Sequence, residues 1–349
     1  MVSGKEKPPD RSDFTNQPTT HHSPLITHST GILLIQLGTP DAPTVPALRR
    51  YLRQFLSDPR VIEAPRLLWW FILNFRILPT RPKKSAAKYQ RIWTANGSPL
   101  LHITRLQTEA LQRALPQMPV RFGMQIGNPP LAAVVHEMIQ SGVERLIVLP
   151  LYPQYSATTT ASAMDCLFSA LHQERRVPAI RVVPPFYDHP DYIDAVASII
   201  QEEQAKLAWA PEHYVLSFHG LPIKYVERGD PYPRHVQRTT QLLQERLCWP
   251  PDRWTQSFQS LFGKDLWLQP YTDKTLADLA RRGVKRVLVA TPGFTTDCLE
   301  TLDEIGNEAR ELFRRAGGEH LHLCPCLNDH PQWIEAMKII ILEEGKGWL

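Results

Sequence analysis

From residue 31 onward, short apolar or β-branched runs alternate with amphipathic stretches that are long enough to form helices. This alternation is typical of βαβ units, in which helices connect parallel strands. Continuous apolar runs such as IVLPL and VLVAT indicate strands that helices cover on both faces. The sequence therefore predicts an α/β fold with eight strands, at residues 31–37, 119–126, 144–151, 179–185, 213–219, 253–260, 285–291 and 320–324.

The eight predicted strands divide into four and four around PPFYDHPDY, a segment near residues 185–190 that is rich in proline and turn residues. We therefore predict two domains, at 31–186 and 187–349. The last periodic stretch, 333–342, is predicted to be a helix that the pattern assigns to neither domain and that can pack on the first. Residues 1–30 contain acids and prolines without an apolar run, so we expect a disordered tail rather than a signal peptide or anchor.

Charge and cysteine content exclude several classes of protein. Lys plus Arg number 39 and Asp plus Glu number 35, and the resulting net charge of +4 is too small to indicate nucleic-acid binding. The five cysteines are an odd number and lack the spacing of a disulfide framework, so we expect a reducing, cytoplasmic compartment. Proline is abundant, at 32 of 349 residues, which predicts many rigid turns that can carry a functional site.

One apolar run, LLWWFIL at Leu67–Leu73, is the longest in the chain. It is too short to span a bilayer, which takes about 20 residues. Three placements stay open for it. It can form a buried helix, an exposed lip over an apolar ligand, or a shallow peripheral contact with a membrane.

Unusual polar segments follow four of the predicted strands. Because open α/β sheets bind ligands at the carboxyl ends of their strands, we expect the chemistry there. A dinucleotide or NTP site has no support, since no G-x-G-x-x-G follows a strand and no Walker A sequence is present. The four segments are LGTP (37–40), PLYPQYSATTTAS (150–162), SFHGLP (217–222) and TPGFTTDCLETLDEIGNE (291–308).

A histidine and a row of acids stand at two of these strand ends. His219 ends a predicted buried strand, and a neutral imidazole can bind a borderline metal or accept a proton near neutral pH. Glu300, Glu304 and Glu308 recur at i, i+4 spacing and therefore form one row on a predicted helix. A structural histidine and a solvated acidic helix face are the alternatives. Histidine and carboxylates together, at two strand ends, favour a metal site over these alternatives.

Six motifs follow one another along the chain: LGTPDAPTVPALRRYLRQFLSDPRVIE, PLYPQYSATTTAS, SFHGLP, GDPYPR, WLQPYTDKTL and DCLETLDEI. In this order they resemble the ferrochelatase family, whose members insert ferrous iron into a porphyrin. The resemblance covers residues 31–345. It implies two Rossmann-like domains, each with a four-stranded parallel sheet flanked by helices, and a porphyrin in the cleft between them.

The resemblance also implies roles for individual residues. His219 matches the catalytic and metal-site histidine of the family, and Glu300 matches its partner carboxylate. Asp297 and Glu304 match acidic positions on a metal or proton path, and Glu308 is a further candidate for that path. Fe²⁺ is then a substrate rather than a cofactor.

The chemistry that the resemblance implies requires these residue types. A divalent metal can enter a free-base porphyrin, either protoporphyrin or coproporphyrin, only if the ring bends and its two pyrrole N–H protons leave. A rigid, proline-rich cleft would bind the bent ring while His219 and Glu300 take protons and hold Fe²⁺ weakly. Imidazole and carboxylate suit Fe²⁺, whereas thiolates would hold it too firmly for release.

Apolar and polar side chains are both expected to contact the porphyrin. The apolar ring faces are expected to pack on aromatic residues, namely Trp69, Trp70, Phe71, Tyr152 and Tyr155. The propionates are expected to bind donors, for which the candidates are Arg49, Ser156, Thr158 and Thr159. Of these residues, the two adjacent tryptophans are predicted to line the entrance of the porphyrin site.

Two segments depart from the family pattern. Many bacterial members read MRYGNP where this chain has Gln125 and Ile126, and FQSRFG where it has Leu261. These departures concern substrate anchoring and leave His219 and Glu300 in place. The pair Cys324 and Cys326 supplies only two of the four thiols that an iron–sulfur cluster usually needs, so we expect no cluster and no permanently bound cofactor.

Three other functions stay open at the level of the sequence. A chelatase that loads cobalt or nickel would share the fold and His219, but such enzymes often carry a second metal-site histidine where this chain has Leu299, Glu300 and Thr301. A porphyrin carrier would keep the aromatic cleft but would not need the acidic row. A nucleotide-dependent enzyme lacks its fingerprint.

Overall fold

The computed structural model describes residue 1, residues 29–263 and residues 265–349. All eight predicted strands form, and they pair in parallel. The predicted tail lies outside the described residues, except for positions 1, 29 and 30. The strands are β1 (Thr30–Gly38), β2 (Val120–Ile126), β3 (Arg145–Pro150), β4 (Ala179–Val182), β5 (His213–His219), β6 (Trp254–Gln259), β7 (Arg286–Ala290) and β8 (His320–Leu323).

The strands form two four-stranded sheets with the same order. The first sheet is β2-β1-β3-β4 and the second is β6-β5-β7-β8. The predicted pair of Rossmann-like units is therefore confirmed. In the first sheet, β2 lies on one side of β1, and the chain then crosses to place β3 on the other side. In the second sheet, β6 and β7 lie on opposite sides of β5 in the same way. The strand order therefore reverses between β1 and β3 and between β5 and β7. The first sheet ends with β4 at residue 182, and the second begins with β5 at residue 213. The domain boundary predicted at 186/187 lies within this stretch and stays a prediction.

Twelve α-helices and three π-helical segments connect the strands in the described part of the chain. Six of these α-helices carry proline at one of their first two positions, where its fixed φ favours helix initiation, which accounts for part of the high proline content. The α-helices are α1 (Val45–Ser57), α2 (Arg66–Ile72), α3 (Leu78–Ile92), α4 (Pro99–Ala114), α5 (Leu131–Gln140), α6 (Ser162–Leu171), α7 (Pro190–Lys206), α8 (Ile223–Glu227), α9 (Tyr232–Leu247), α10 (Thr272–Arg281), α11 (Arg310–Arg315) and α12 (Pro331–Glu344). The π-helical segments are Leu73–Ile77, Ala157–Ala161 and Glu300–Ala309.

Apolar side chains fill both faces of each sheet. Successive strand residues point to opposite faces, so Ile32 packs in a central core while Leu33 packs under α5 and α6. The second sheet follows the same rule, with Leu216 in the central core and Val215 under α10. Burial on both faces explains why these strands have continuous apolar sequences.

The central core joins the two sheets. It contains residues of β1, β3, β5 and β7 together with residues of α4, α7, α9 and α12. The last helix, α12, packs on both α4 and α7. After it, the Trp348 ring lies 4.3 Å from the Arg181 guanidinium, and the main-chain O of Trp348 accepts a hydrogen bond from Arg145 at 3.3 Å. The C-terminal segment therefore binds the first sheet.

Candidate active site

The predicted functional segments meet where the strand order reverses. SFHGLP follows β5 and the segment from Thr291 follows β7, and these strands are neighbours. In open α/β sheets, ligands bind in the crevice outside such a switch point. LGTP and PLYPQYS follow β1 and β3 at the equivalent point of the first sheet. The two crevices adjoin each other, because the Thr295 hydroxyl donates to the main-chain O of Leu151 at 3.1 Å.

His219 is the last residue of β5 and is exposed at the carboxyl edge of the sheet. Its Nδ1 lies 2.7 Å from the main-chain O of Gly220. Because a carbonyl oxygen can only accept, Nδ1 carries the proton, and Nε2 of the neutral ring keeps its lone pair. The Tyr232 hydroxyl donates to the main-chain O of His219 at 2.9 Å, which fixes the end of the strand. Nε2 of His219 is therefore able to bind a metal ion or accept a proton.

Glu300 begins the π-helical segment Glu300–Ala309 after β7. Such segments, with i→i+5 hydrogen bonds, are rare and frequent at functional sites. The main-chain O of Glu300 accepts from Nε2 of Gln259 at 2.7 Å, and Gln259 pairs with His219 in the ladder between β5 and β6. Burial raises the pKa of Tyr51, and the nearby Glu300 carboxylate raises it further. The structure therefore brings His219 and Glu300 to one edge, beside a hydroxyl from the first sheet's unit.

Glu304 lies in the same π-helical segment and is held by Ser260. Its Oε1 accepts from the main-chain N of Ser260 and its Oε2 accepts from the Ser260 hydroxyl, both at 2.6 Å. Ser260 has a φ of 66°, a left-handed conformation that is uncommon outside glycine. Burial raises the pKa of Glu304 and the charge of Glu300 acts in the same direction, against the hydrogen bonds from Ser260 and the positive charge that His219 carries once it is protonated. Glu304 is thus a carboxyl group suited to holding a proton beside the other two.

Glu308 lies eight positions after Glu300 and pairs with α3. Its carboxylate is 2.8 Å from Nζ of Lys88 and 2.8 Å from Nη2 of Arg91. Arg91 also donates to both oxygens of buried Asp303, at 2.6 and 2.5 Å. Burial alone would raise the pKa of Asp303. Hydrogen bonds from Arg91 and Asn307 outweigh the burial, so the pKa of Asp303 is lowered. Glu308 is therefore an exposed ion-pair partner of α3, and its place on a metal path stays a prediction.

Asp297 lies buried in the loop between β7 and the π-helical segment. Its Oδ1 accepts from the Thr301 hydroxyl at 2.8 Å, and its Oδ2 accepts from Nδ2 of Asn328 at 2.7 Å. These bonds attach the start of the π-helical segment to the loop after β8. The structure therefore gives Asp297 a role in holding this loop, and its predicted role on a proton path stays untested.

Gln125, one of the departures from the family pattern, is part of a hydrogen-bond network that includes the carboxylate of Asp58. Its Nε2 lies 2.6 Å from the hydroxyl oxygen of Tyr152, and its Oε1 lies 3.0 Å from the Ser162 hydroxyl, which donates to Oδ2 of Asp58 at 2.5 Å. Tyr152 is thus oriented from the end of β2. Tyr155, in the same loop as Tyr152, donates its main-chain N–H to Nδ1 of His235 on α9 at 3.1 Å. Both tyrosines are half-buried, Tyr152 against the core of the first sheet's unit and Tyr155 beside α9 of the second.

The loop after β3 is attached to the second sheet's unit by Asp230 of the GDPYPR motif. Oδ2 of Asp230 accepts from the Ser156 hydroxyl and from the main-chain N of Ala157, both at 2.8 Å. The buried Ser156 hydroxyl donates its only proton to Asp230, which disfavours a bond to a propionate, so the predicted propionate contact of Ser156 stays untested. Thr158 and Thr159 are half-buried in the same loop and stay candidates.

Two arginines of the first sheet's unit differ in their surroundings. Arg49 is exposed on α1, and its Nε donates to the main-chain O of Leu78 at 3.3 Å. Arg81 on α3 lies over the Phe262 ring, with 4.3 Å between its guanidinium carbon and the ring centroid. Burial lowers the pKa of Arg81, and the charge of Glu300 raises it. Arg81 is therefore a cation near the Glu300 carboxylate, and the sequence analysis did not predict its place in the site.

The two tryptophans of α2 have different environments. Trp69 is 9% exposed, packs against Leu52 and Leu56 of α1, and donates from Nε1 to the main-chain O of Leu56 at 2.6 Å. Trp70 is 51% exposed. Of the two tryptophans predicted to line the entrance, only Trp70 therefore presents its ring to solvent, because α1 covers the Trp69 ring, and the entrance itself stays a prediction. The exposed apolar side chains here form what we name the α2 patch: Leu67, Leu68, Trp70, Phe71 and Phe75.

Comparisons with known proteins identify the family. The family model described as Ferrochelatase matches residues 29–345. The chain is 48% identical over 336 residues to a ferrochelatase of Mesorhizobium japonicum, with 95% of each chain covered, and 45% identical over 353 residues to one of Brucella ovis, with 100% of each covered. The chain belongs to the ferrochelatase family. It is a lyase of haem biosynthesis, a metal chelatase that inserts iron into a porphyrin.

Solved structures of chelatases share the ferrochelatase fold seen here. SirB from Bacillus subtilis with Fe³⁺ matches with a TM-score of 0.52 at 14% identity, covering 90% of this chain and 95% of that one. The sirohydrochlorin chelatase SirB from the subspecies spizizenii, in complex with cobalt, matches with a TM-score of 0.51 at 15% identity, covering 91% and 96%. These likenesses concern the fold alone.

Within residues 29–263 and 265–349, no group of three or more His, Cys, Asp or Glu side chains is arranged to hold a metal ion. The same part of the chain has no helix long and apolar enough to cross a membrane.

Proposed function

We propose that His219 and Glu300 are the catalytic pair of this ferrochelatase, and that they take the pyrrole protons and hold Fe²⁺ during insertion. One observation supports the proposal most directly. Nε2 of His219 keeps its lone pair at the switch point, and Glu300 is joined to the same strand end through Gln259. A solvated acidic face would not place the Glu300 carboxylate near Tyr51, whose pKa it raises.

The reaction exchanges two pyrrole protons for one Fe²⁺, so two protons must leave the ring. Nε2 of His219 accepts one proton after it has released Fe²⁺ to the ring, because one lone pair cannot do both at once, and the Glu300 carboxylate accepts the other. Glu304, whose pKa burial raises, lies beside both groups and takes a proton onward. Imidazole and carboxylate bind Fe²⁺ without the strength of thiolates, and two such ligands leave coordination positions open for the ring nitrogens.

The porphyrin is proposed to lie between the two units, with its reacting face toward His219. Trp70 and Phe71 are then the aromatic residues that contact the ring at the entrance, and Tyr152 and Tyr155 are the aromatic residues farther in. Thr158, Thr159 and Arg49 stay the candidates for the propionates. Protoporphyrin and coproporphyrin are both compatible with this site.

Anaerobic insertion assays test the proposed function. Pure protein is incubated with Fe²⁺ and either protoporphyrin or coproporphyrin, and the shift of the Soret band is followed without ATP. We expect insertion with at least one of the two porphyrins. A spectrum of bound porphyrin without insertion would instead indicate a carrier, and insertion of cobalt or nickel in strong preference to iron would indicate another chelatase.

We also propose that the chain binds no iron–sulfur cluster and no resident cofactor. Burial raises the pKa of the Cys324 and Cys326 thiols, and this disfavours the thiolate form that binds iron. Cys166 on α6 and Cys248 after α9 belong to other parts of the fold. Acid-labile sulfide in anaerobically purified protein would contradict this proposal.

All five thiols are free, which supports a reducing, cytoplasmic compartment that cell fractionation can test.

The α2 patch is proposed to guide an apolar substrate and to contact a membrane surface. Its rings form a cluster, with centroids of Trp70 and Phe71 5.1 Å apart and those of Phe71 and Phe75 6.0 Å apart. Exposed Arg66 and Arg76 flank it, and this combination is typical of shallow contacts with anionic lipid. A porphyrin that partitions into lipid would therefore reach the cleft along this surface.

The double variant Trp70→Ser/Phe71→Ser is expected to raise the KM for porphyrin several-fold with little change in the melting temperature, because both rings are exposed. Co-sedimentation with anionic vesicles should fall in parallel. Phe168→Ser, which removes an exposed ring from α6, is the matched control and should change neither quantity. An unchanged KM in the double variant would exclude the patch as the entrance.

A further inference from the structure

Gln259 connects the strand end of His219 with the rest of the site. It is the last residue of β6, is 3% exposed, and pairs with His219 in the ladder. Its main-chain O accepts from the N of Gly220 at 2.8 Å. A Cβ at position 220 would lie 2.9 Å from this oxygen, so glycine allows the close approach.

The side-chain amide of Gln259 uses both of its ends. Its Oε1 accepts from the Ser217 hydroxyl in β5 at 2.6 Å, and its Nε2 donates to the main-chain O of Glu300 at 2.7 Å. One planar group therefore links the strand that ends in His219 to the residue that begins the π-helical segment. The next residue, Ser260, binds both carboxylate oxygens of Glu304. The end of β6 thus holds the main chain of Glu300 and the carboxylate of Glu304.

We propose that Gln259 is a positioning residue that sets the separation of His219 and Glu300. The inference rests on the catalytic roles proposed above for these two residues. Both must act on the centre of one ring, and displacements of about 1 Å in such groups can cost about 100-fold in rate. Without the amide, each catalytic group keeps its chemistry, but the start of the π-helical segment is free to shift relative to β5.

Two variants remove the link in different ways. Gln259→Met removes both side-chain bonds at similar volume, and Gln259→Glu keeps an acceptor for Ser217 while replacing the amide donor to Glu300. We expect kcat to fall about 10- to 100-fold in both. The KM for porphyrin, and the porphyrin Kd measured by fluorescence quenching, should stay within about twofold, because neither bond contacts the proposed porphyrin surface.

Ser257→Ala is the matched control. Ser257 lies two residues earlier on the same strand, is buried, and its hydroxyl is 2.9 Å from that of Thr272. Its loss should lower the melting temperature about as much as Gln259→Met, with kcat within about twofold of the unmodified chain. An equal loss of kcat in the control would show that Gln259 has a merely structural role.

A double-mutant cycle decides whether Gln259 acts through Glu300. If it does, Gln259→Met/Glu300→Gln should be no slower than Glu300→Gln alone. The positioning role would be overturned if the double variant lost kcat by the product of the two single losses. A kcat of Gln259→Met near that of the unmodified chain would overturn it as well. A near-normal kcat for Glu300→Gln alone would instead overturn the catalytic role of Glu300, so the two failures are distinguishable.

Discussion

Replacing Glu300 by glutamine is expected to lower kcat at least about 100-fold, the usual range for loss of one acid–base group. The substitution keeps the size of the side chain and its hydrogen bonding but removes the charge that accepts a proton or binds Fe²⁺. Porphyrin binding, measured by fluorescence quenching, should survive. The main-chain bond from Gln259 to Glu300 also survives, so the loss would report on the carboxylate itself.

His219→Ala should reduce kcat at least as much as Glu300→Gln, because it removes the nitrogen that keeps its lone pair. Glu311→Gln is the control, since Glu311 is exposed on α11 and pairs with Arg315 at 2.9 Å. It should leave kcat within about twofold.

Glu308→Gln should raise the KM for Fe²⁺ by a modest factor and leave kcat at saturating iron nearly intact. A Glu300→Gln enzyme with near-normal kcat would show that the acidic row is a solvated helix face without a catalytic role.

The strands and their grouping were predictable because each strand is buried on both faces. Burial of this kind demands continuous apolar sequence, as in β3 and β7, and such sequence is visible without a structure. The position of His219 was predictable for the same reason, since it follows directly on buried Phe218. Periodicity thus located the two strand ends that carry the proposed chemistry.

Strand order and helix orientation depend on contacts between distant residues, which periodicity does not encode. The switch point between β5 and β7 arises because the chain crosses the sheet after β6. Arg81 is near Glu300 only because α3 packs in one orientation, and no feature of its local sequence marks it. The i, i+4 spacing of the acidic row predicts an α-helix of period 3.6, whereas residues 300–309 form a π-helical segment.

The Trp69–Trp70 pair shows why an apolar run is ambiguous without its neighbours. Adjacent residues of a helix point about 100° apart, so one of the two rings can be buried while the other is exposed. Which ring is buried depends on where α1 lies, and α1 contributes Leu52 and Leu56 to the core around Trp69. The run combines two of the placements that the sequence left open, a buried side and an exposed one.

Trp69→Ala is therefore expected to lower the free energy of unfolding by about 3 to 5 kcal/mol, the range for loss of a large core aromatic residue. The substitution empties a site between α1 and α2 and leaves the main-chain O of Leu56 without the indole donor. Trp70→Ala is the matched control, and its exposed position predicts a change within about 1 kcal/mol.

Urea unfolding followed by far-ultraviolet circular dichroism measures both variants without relying on tryptophan fluorescence. Trp70→Ala should affect the KM for porphyrin instead of stability, so the two substitutions should separate the two quantities. Equal losses of stability would mean that both rings belong to the core. A stable Trp69→Ala protein with a raised KM would restore Trp69 to the entrance, and would require α1 to move away from α2 when the porphyrin binds.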